Sequence, residues 1–173
     1  MAFTYNSAGK VEGNVTSNPV SFSYTAGTNS KLVVLSLTAH NNVPTDVSSG
    51  TPTYNGLDMT KCGSTQITAE GTTEQWYYLT PDGGTARTIS ISNASGNELH
   101  YVCTDYTNPT ANAAHFGHAG SGGGTVIDVT VSIDSVPDGA VVVSCMVHGE
   151  KDQFASITGA TSLHAAGPST DEG

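Results

Sequence analysis

Charge is what this chain has least of. Lys and Arg number 5 and Asp and Glu 15 among 173 residues, 12 % in all, with a net charge of −10; a typical soluble domain is roughly 25 % charged. Five basic residues cannot build the clusters that nucleic-acid phosphates or an anionic membrane surface require, so neither is expected as a partner. No apolar run approaches the ~20 residues that cross a bilayer. The N-terminal MAFTYNSAGKVEG has no basic stretch leading into an apolar one, so no signal peptide is expected: the protein would be made and left in a host cytoplasm, or escape it by lysis or in a particle, a virion. Cysteine is scarce and odd in number: Cys62, Cys103 and Cys145 have no CxxC spacing. They read as buried thiols, with one disulfide plus one free thiol as the alternative if the protein works outside the cell.

Catalytic motifs are missing too. The chain has no GxSxG elbow, HExxH, phosphate loop or EF-hand, so a non-enzymatic role without metal or cofactor is expected. His100 and Cys103 form an HxxC, but three residues apart on a strand they point to opposite faces. His115 and His118, in HFGH, fall in a glycine-rich stretch where solvated histidine is the ordinary reading. Glu70 and Glu74 admit a glycosidase-like carboxylate pair, and no other feature joins them.

Thr, Ser, Asn and Gly fill the place of charge, and strands fill the place of helices. Residues 73–92, TEQWYYLTPDGGTARTISIS, organise the rest: an aromatic strand, a turn on Pro81, Asp82, Gly83 and Gly84, and a β-branched strand, together a hairpin or a sheet corner. Alternation sets Gln75, Tyr77 and Leu79 against Glu74, Trp76 and Tyr78, and Ile89 and Ile91 against Thr88, Ser90 and Ser92. Trp76, the only tryptophan, is assigned to the core.

Residues 3–8 read as a first short strand, followed by polar residues up to Pro19. Val20, Phe22 and Tyr24 alternate with serines, and residues 26–29 make a turn. KLVVLSLTAH, residues 31–40, is apolar on both faces at its start and belongs at the centre of a sheet. Residues 41–52 are loop. In TYNGLDMTKCG, Asn55-Gly56 is the dipeptide best suited to the two positive-φ positions of a type I′ turn, flanked by Tyr54 and Leu57. Residues 66–69 make a weak strand. ELHYVCTDY alternates Leu99, Tyr101 and Cys103 with His100, Val102 and Thr104. Residues 108–124 are Gly- and Ala-rich without a period, a long surface excursion of the kind that makes contacts, with Asn112, His115, Phe116 and His118 as the contact residues. Two clean strands follow, built on Ile127, Val129, Val131 and Ile133 and on Val141, Val143, Cys145 and Val147.

These spacings predict an all-β chain: an antiparallel β-sandwich, jelly-roll-like, of about eight to ten strands, with an up-and-down barrel as runner-up. One domain over residues 1–153 is expected, and a loosely ordered or partner-docked tail over residues 154–173.

The succession KLVVLSL, TYNGLDMTKCG, EQWYYLTPDGGTARTISIS, the Asp105-Tyr106-Thr107 corner and AVVVSCMVHG resembles a widespread jelly-roll β-sandwich domain of phage structural proteins and secreted bacterial proteins. That pattern runs LVV, then Tyr-Gly-Gly, then Glu-x-Trp-Tyr-Leu, then proline and Gly-Thr. The resemblance covers most of residues 20–149 and implies a domain that binds, coats or displays. It departs at TYNG, which lacks the second glycine, and at the end, where the family runs on into two further strands; either the chain is a fragment or a neighbour completes the tail. Three readings follow. The first is a virion structural protein (a capsid decoration, head-fibre or tail-associated sandwich) whose partners are itself and other virion proteins. The second is a carbohydrate-binding or adhesion module stacking Tyr54, Tyr77 or Tyr78 on surface glycans. The third is a glycan-cleaving enzyme.

Overall fold

A computed structural model of the chain describes residues 4–6, 11–15, 18–40, 47–67, 71–92, 99–107 and 143. Ten strands run through them: β1 (Thr4–Tyr5), β2 (Val11–Val15), β3 (Val20–Thr25), β4 (Ser30–His40), β5 (Thr53–Tyr54), β6 (Leu57–Asp58), β7 (Thr60–Ile67), β8 (Gly71–Leu79), β9 (Ala86–Ile91) and β10 (Leu99–Thr107). They form two antiparallel sheets. The first runs β1-β10-β4-β8-β7, with β2 also on β10, and the second runs β3-β9-β5-β6. The all-β expectation holds for the described residues, and the layers have the form of a sandwich.

KLVVLSLTAH is central, as its two apolar faces predict: β4 lies between β10 and β8. Strand register stacks side chains in rows across the inner face of the first sheet: Val33, Tyr78 and Asp105; then Leu35, Trp76 and Cys103; then Leu37, Glu74 and Tyr101; then Ala39, Thr72 and Leu99. Val20, Tyr24, Tyr54, Ile89 and Ile91 close the core from the second sheet. Two stacked aromatic pairs cross it: Phe22 with Tyr101, centroids 4.3 Å apart, and Tyr54 with Tyr78, at 4.8 Å. Both separations suit offset stacking.

Residues 73–92 turn out to be a corner. β8 pairs with β4 and β7, whereas β9 pairs with β3 and β5. The turn between them is held at two points: Thr80 N donates to Lys31 O of β4 (2.9 Å) and Gly84 N to Ala26 O of the β3–β4 turn (2.7 Å). Gly83 is pressed against that turn, because a Cβ there would lie 2.7 Å from Thr28 Cα and 2.8 Å from Thr28 C. Backbone cannot yield as a flexible side chain can, so Gly83→Ala is expected to cost about 1–3 kcal/mol. Gly50→Ala, where a Cβ meets nothing within 4 Å, is the control that should melt with the wild type.

Asn55 and Gly56 have φ of 52° and 77°, the two positive values a type I′ turn needs, and Tyr54 pairs with Leu57 across it. Two expectations need correction. The polar stretch before Pro19 contains β2, which pairs with β10; Gly13 masks it in sequence, and the Tyr101 side chain lies over that glycine, its ring 2.8 Å and its hydroxyl 2.6 Å from where a Cβ would be. Of the weak strand expected at residues 66–69, residues 66 and 67 are the end of a longer one, β7, whose register shifts between Lys61 and Gly63, and residues 68 and 69 lie outside the described residues. The two late strands, Val143 apart, and residues 154–173 lie outside the described residues.

Candidate functional site

Glu74 and Asp105 are the carboxylates buried between the sheets among the described residues. Strand alternation puts Glu74 and Trp76 on one face, two residues apart, and the indole Nε1 donates to Glu74 Oε2 at 3.1 Å. Val47 N (3.0 Å) and Lys61 Nζ (3.2 Å) donate to Oε1, and Ser48 N (3.3 Å) and Ser48 Oγ (2.7 Å) to Oε2. The Lys61 ammonium also stands 5.4 Å from the Trp76 ring centroid, within cation–π range. One carboxylate thus gathers the loop at residues 47–48, the edge strand β7 and the core tryptophan. That loop is fixed in turn to the second sheet, Ser49 N donating to Ser92 O at 2.8 Å.

Asp105 does the same work at the other end of the sheet. Tyr24 Oη donates to Oδ1 at 2.6 Å, Gly27 N to Oδ2 at 3.0 Å, and Asn6 Nδ2 to both oxygens at 3.1 and 3.2 Å. The Asn6 main chain follows, its N donating to Asp105 O at 3.0 Å. Residues 6, 24, 27 and 105 come from β1's end, β3, the β3–β4 turn and β10, so this carboxylate ties sheet to sheet. Both carboxylates accept from several donors, which is what makes a buried anion tenable.

Their arrangement does not suit acid–base chemistry. β4 and the Leu35–Trp76–Cys103 row separate Glu74 from Asp105, so the two do not face each other across a cleft as a hydrolytic pair must. Glu70 lies outside the described residues.

The tyrosines expected for glycan stacking lie in different surroundings. Tyr54 is 2 % exposed and its ring is stacked on Tyr78, so the faces a sugar would need are already covered; local alternation put it beside a turn but could not show which sheet would close over it. Tyr78 is half-buried in that same contact, and Tyr77 is half-buried on the opposite face of the first sheet. The three therefore do not share a plane. Asn112, His115, Phe116 and His118 lie outside the described residues. Cys103 is buried between the sheets and His100 is on the other face, so they cannot share an ion. Among the described residues no group of three or more His, Cys, Asp and Glu could hold a metal, and no helix is long and apolar enough to cross a membrane.

Cys62 and Cys103 are free thiols. Burial pushes Cys62 up to about 11 and Cys103 well above its ordinary value; burial also pushes the Tyr54 phenol up to about 12. All three hold their protons more tightly folded than unfolded. The stability they lend is therefore complete below the unfolded thiol value of about 9 and is lost as pH rises through the folded values. Melting temperature should be level near neutrality and fall above about pH 9, less steeply in Cys103→Ala. With Cys145 replaced, a thiol reagent at pH 8 should leave Cys103 unmodified until denaturant is added; immediate modification of the native protein would contradict its burial.

The two broad outer faces differ. On the first sheet, Val34, Thr104 and Tyr106 point away from the core yet are 6 %, 2 % and 3 % exposed, so that face is covered as well. Val143, the one described residue beyond Thr107, lies against it: Gln75 Nε2 donates to Val143 O at 3.0 Å and to Ser36 Oγ at 3.2 Å. The outer face of the second sheet is open, carrying exposed Ser21, Ser23, Thr25, Ala86 and Thr88 and half-buried Thr53 and Ser90. Asp58, at its rim, is the ionisable side chain there.

No protein-family model, no curated protein and no solved structure matches this chain.

Proposed function

We propose that this chain is a non-enzymatic virion structural protein, a jelly-roll β-sandwich of the capsid-decoration, head-fibre or tail-associated kind that works as a multimer with copies of itself and other virion proteins. The observation that carries this reading is the use made of the two buried carboxylates. Glu74 and Asp105 are the residues a hydrolytic enzyme would need free, and each is engaged by donors of the fold itself. Charged groups so placed hold loops and strands in register, which suits a module whose job is to keep its shape. The open face of Ser, Thr and Ala on the second sheet fits a coat or display surface, and the −10 charge favours solubility and protein partners over nucleic acid.

Light scattering on the purified full-length chain at micromolar concentration is the test. A discrete oligomer is the expected result. A monomer at every concentration would overturn the multimer, and binding on a glycan array that is lost when Tyr77 and Tyr78 are replaced would put a carbohydrate-binding module in its place.

A further inference from the structure

Two buried side-chain atoms among the described residues have no hydrogen-bond partner, Tyr54 Oη and Arg87 Nε. Folded proteins satisfy buried donors with protein groups or with ordered water, and a donor left bare weakens the fold. Elsewhere in this interior the rule is kept: the Trp76 indole and the Tyr24 phenol each reach a carboxylate.

The two atoms belong to one place. Tyr54 of β5 pairs with Ile89 of β9, and Arg87 stands two residues before Ile89 on the same inward face, opposite Tyr24. Tyr54 and Arg87 are thus diagonal neighbours across an antiparallel pair, about 7–8 Å apart at Cα, a span that two long side chains close. Their electrostatics agree. Burial is the main hold on the Tyr54 proton, the Asp82 charge adds to that hold and the Arg87 charge opposes it, so phenol, guanidinium and carboxylate meet at the corner between β8 and β9. Arg87 Nη2 is taken, donating to Asp82 Oδ2 at 2.6 Å. Its Nε is not.

The chemistry of the pair selects what stands between them. A guanidinium only donates, and a phenol so firmly protonated donates as well; no bond joins Nε to Oη directly. An oxygen that accepts from both is required. An anion suits it poorly, because the guanidinium already has its counter-charge in Asp82 and both donors are shut off from solvent, where an anion would lose its hydration. A neutral water accepts from the two donors and keeps its own protons to give. We propose that one ordered water bridges Tyr54 Oη and Arg87 Nε, with the Asp82 carboxylate as its acceptor, and fastens the β5–β6 hairpin to the corner. That hairpin has little else on this side: its strands are two residues long and its ladder to β9 runs over two residue pairs, Thr53 with Ser90 and Tyr54 with Ile89. The bridge is independent of the multimer proposed above.

Thermal melts of the full-length chain test it by their sign. Tyr54→Phe keeps the ring on Tyr78 and removes only the hydroxyl. If that hydroxyl were bare, its removal would raise the melting temperature; if it donates to a bridging water, the melting temperature should fall by about 2–4 °C. In an Arg87→Met background, where the water has lost its second donor, the same replacement should cost much less. A high-resolution crystal structure should show one oxygen within hydrogen-bond distance of both atoms. Tyr54→Phe melting at or above the wild type overturns the bridge, as does an equal loss in both backgrounds. A melting temperature that climbs with chloride but not with acetate at the same ionic strength would put an anion there instead and overturn the water.

Discussion

Glu74→Leu is expected to melt roughly 10 °C below the wild type, a loss of about 3–5 kcal/mol. Leucine would fill most of the space, so the effect is not a cavity. It comes from the donors left behind. Trp76 Nε1, Val47 N, Ser48 N and Ser48 Oγ are directed at one carboxylate, and water cannot reach the buried ones in its place. Lys61 is the weaker partner because its side chain is 31 % exposed whereas that of Glu74 is fully buried. Lys61→Met should therefore cost at most about 1 kcal/mol, the worth of a pair whose cation remains hydrated. The contrast separates two explanations. If Glu74 acts mainly as one half of an ion pair, the two variants fall together; if it acts as an anchor for neutral donors, Glu74→Leu is far the worse. Thermal melts of both variants decide it, and equal losses would overturn the anchor.

How much of this was legible in sequence depends on the distance over which the cause acts. Period-two alternation identified β3, β8, β9 and β10, because strand identity is set by neighbours two residues apart, and two apolar faces marked β4 as a central strand. Asn55-Gly56 predicted its own turn for the same reason. Alternation even placed Glu74 and Trp76 on one face. It did not show that face to be the core, since a strand reads alike whichever sheet it joins; for that reason residues 73–92 suit a hairpin and a corner equally, and only the pairing of β8 with β4 and β7 and of β9 with β3 and β5 decides between them. β2 was hidden because its middle residue is Gly13, whose apolar neighbour is the Tyr101 ring from a strand far along the chain. Tyr54, named for stacking and flanking the Asn55-Gly56 turn, has its ring closed in by Tyr78 of the other sheet, a contact between residues of two sheets that local pattern does not carry. One signal was present and unused: Asp105 continues the inward series Leu99, Tyr101, Cys103, and a carboxylate in an apolar series announces donors brought from elsewhere.

Those donors make Asp105 the second sensitive point. Asp105→Ala is expected to cost about 3–5 kcal/mol, comparable to Glu74→Leu, because it removes the carboxylate to which the Tyr24 hydroxyl and the Gly27 amide donate and opens a small cavity. Tyr24→Phe alone removes one donor and leaves the others in place, so about 1.5–3 kcal/mol is expected, the range for a hydrogen bond to a charged group. The double variant carries the argument. If the 2.6 Å bond from Tyr24 to Asp105 is what joins β3 to β10, then Tyr24→Phe should cost little once Asp105 is alanine, and the coupling should recover most of the single-variant loss. Were the two losses instead to add, the hydroxyl would owe its effect to packing in the core, and the Asp105 cluster would be holding only the N-terminal strand through Asn6 and the turn through Gly27. Asn6→Ala distinguishes these hands of the cluster: it should loosen β1, seen as faster hydrogen exchange at Thr4 and Tyr5, while leaving the protection of β3 unchanged.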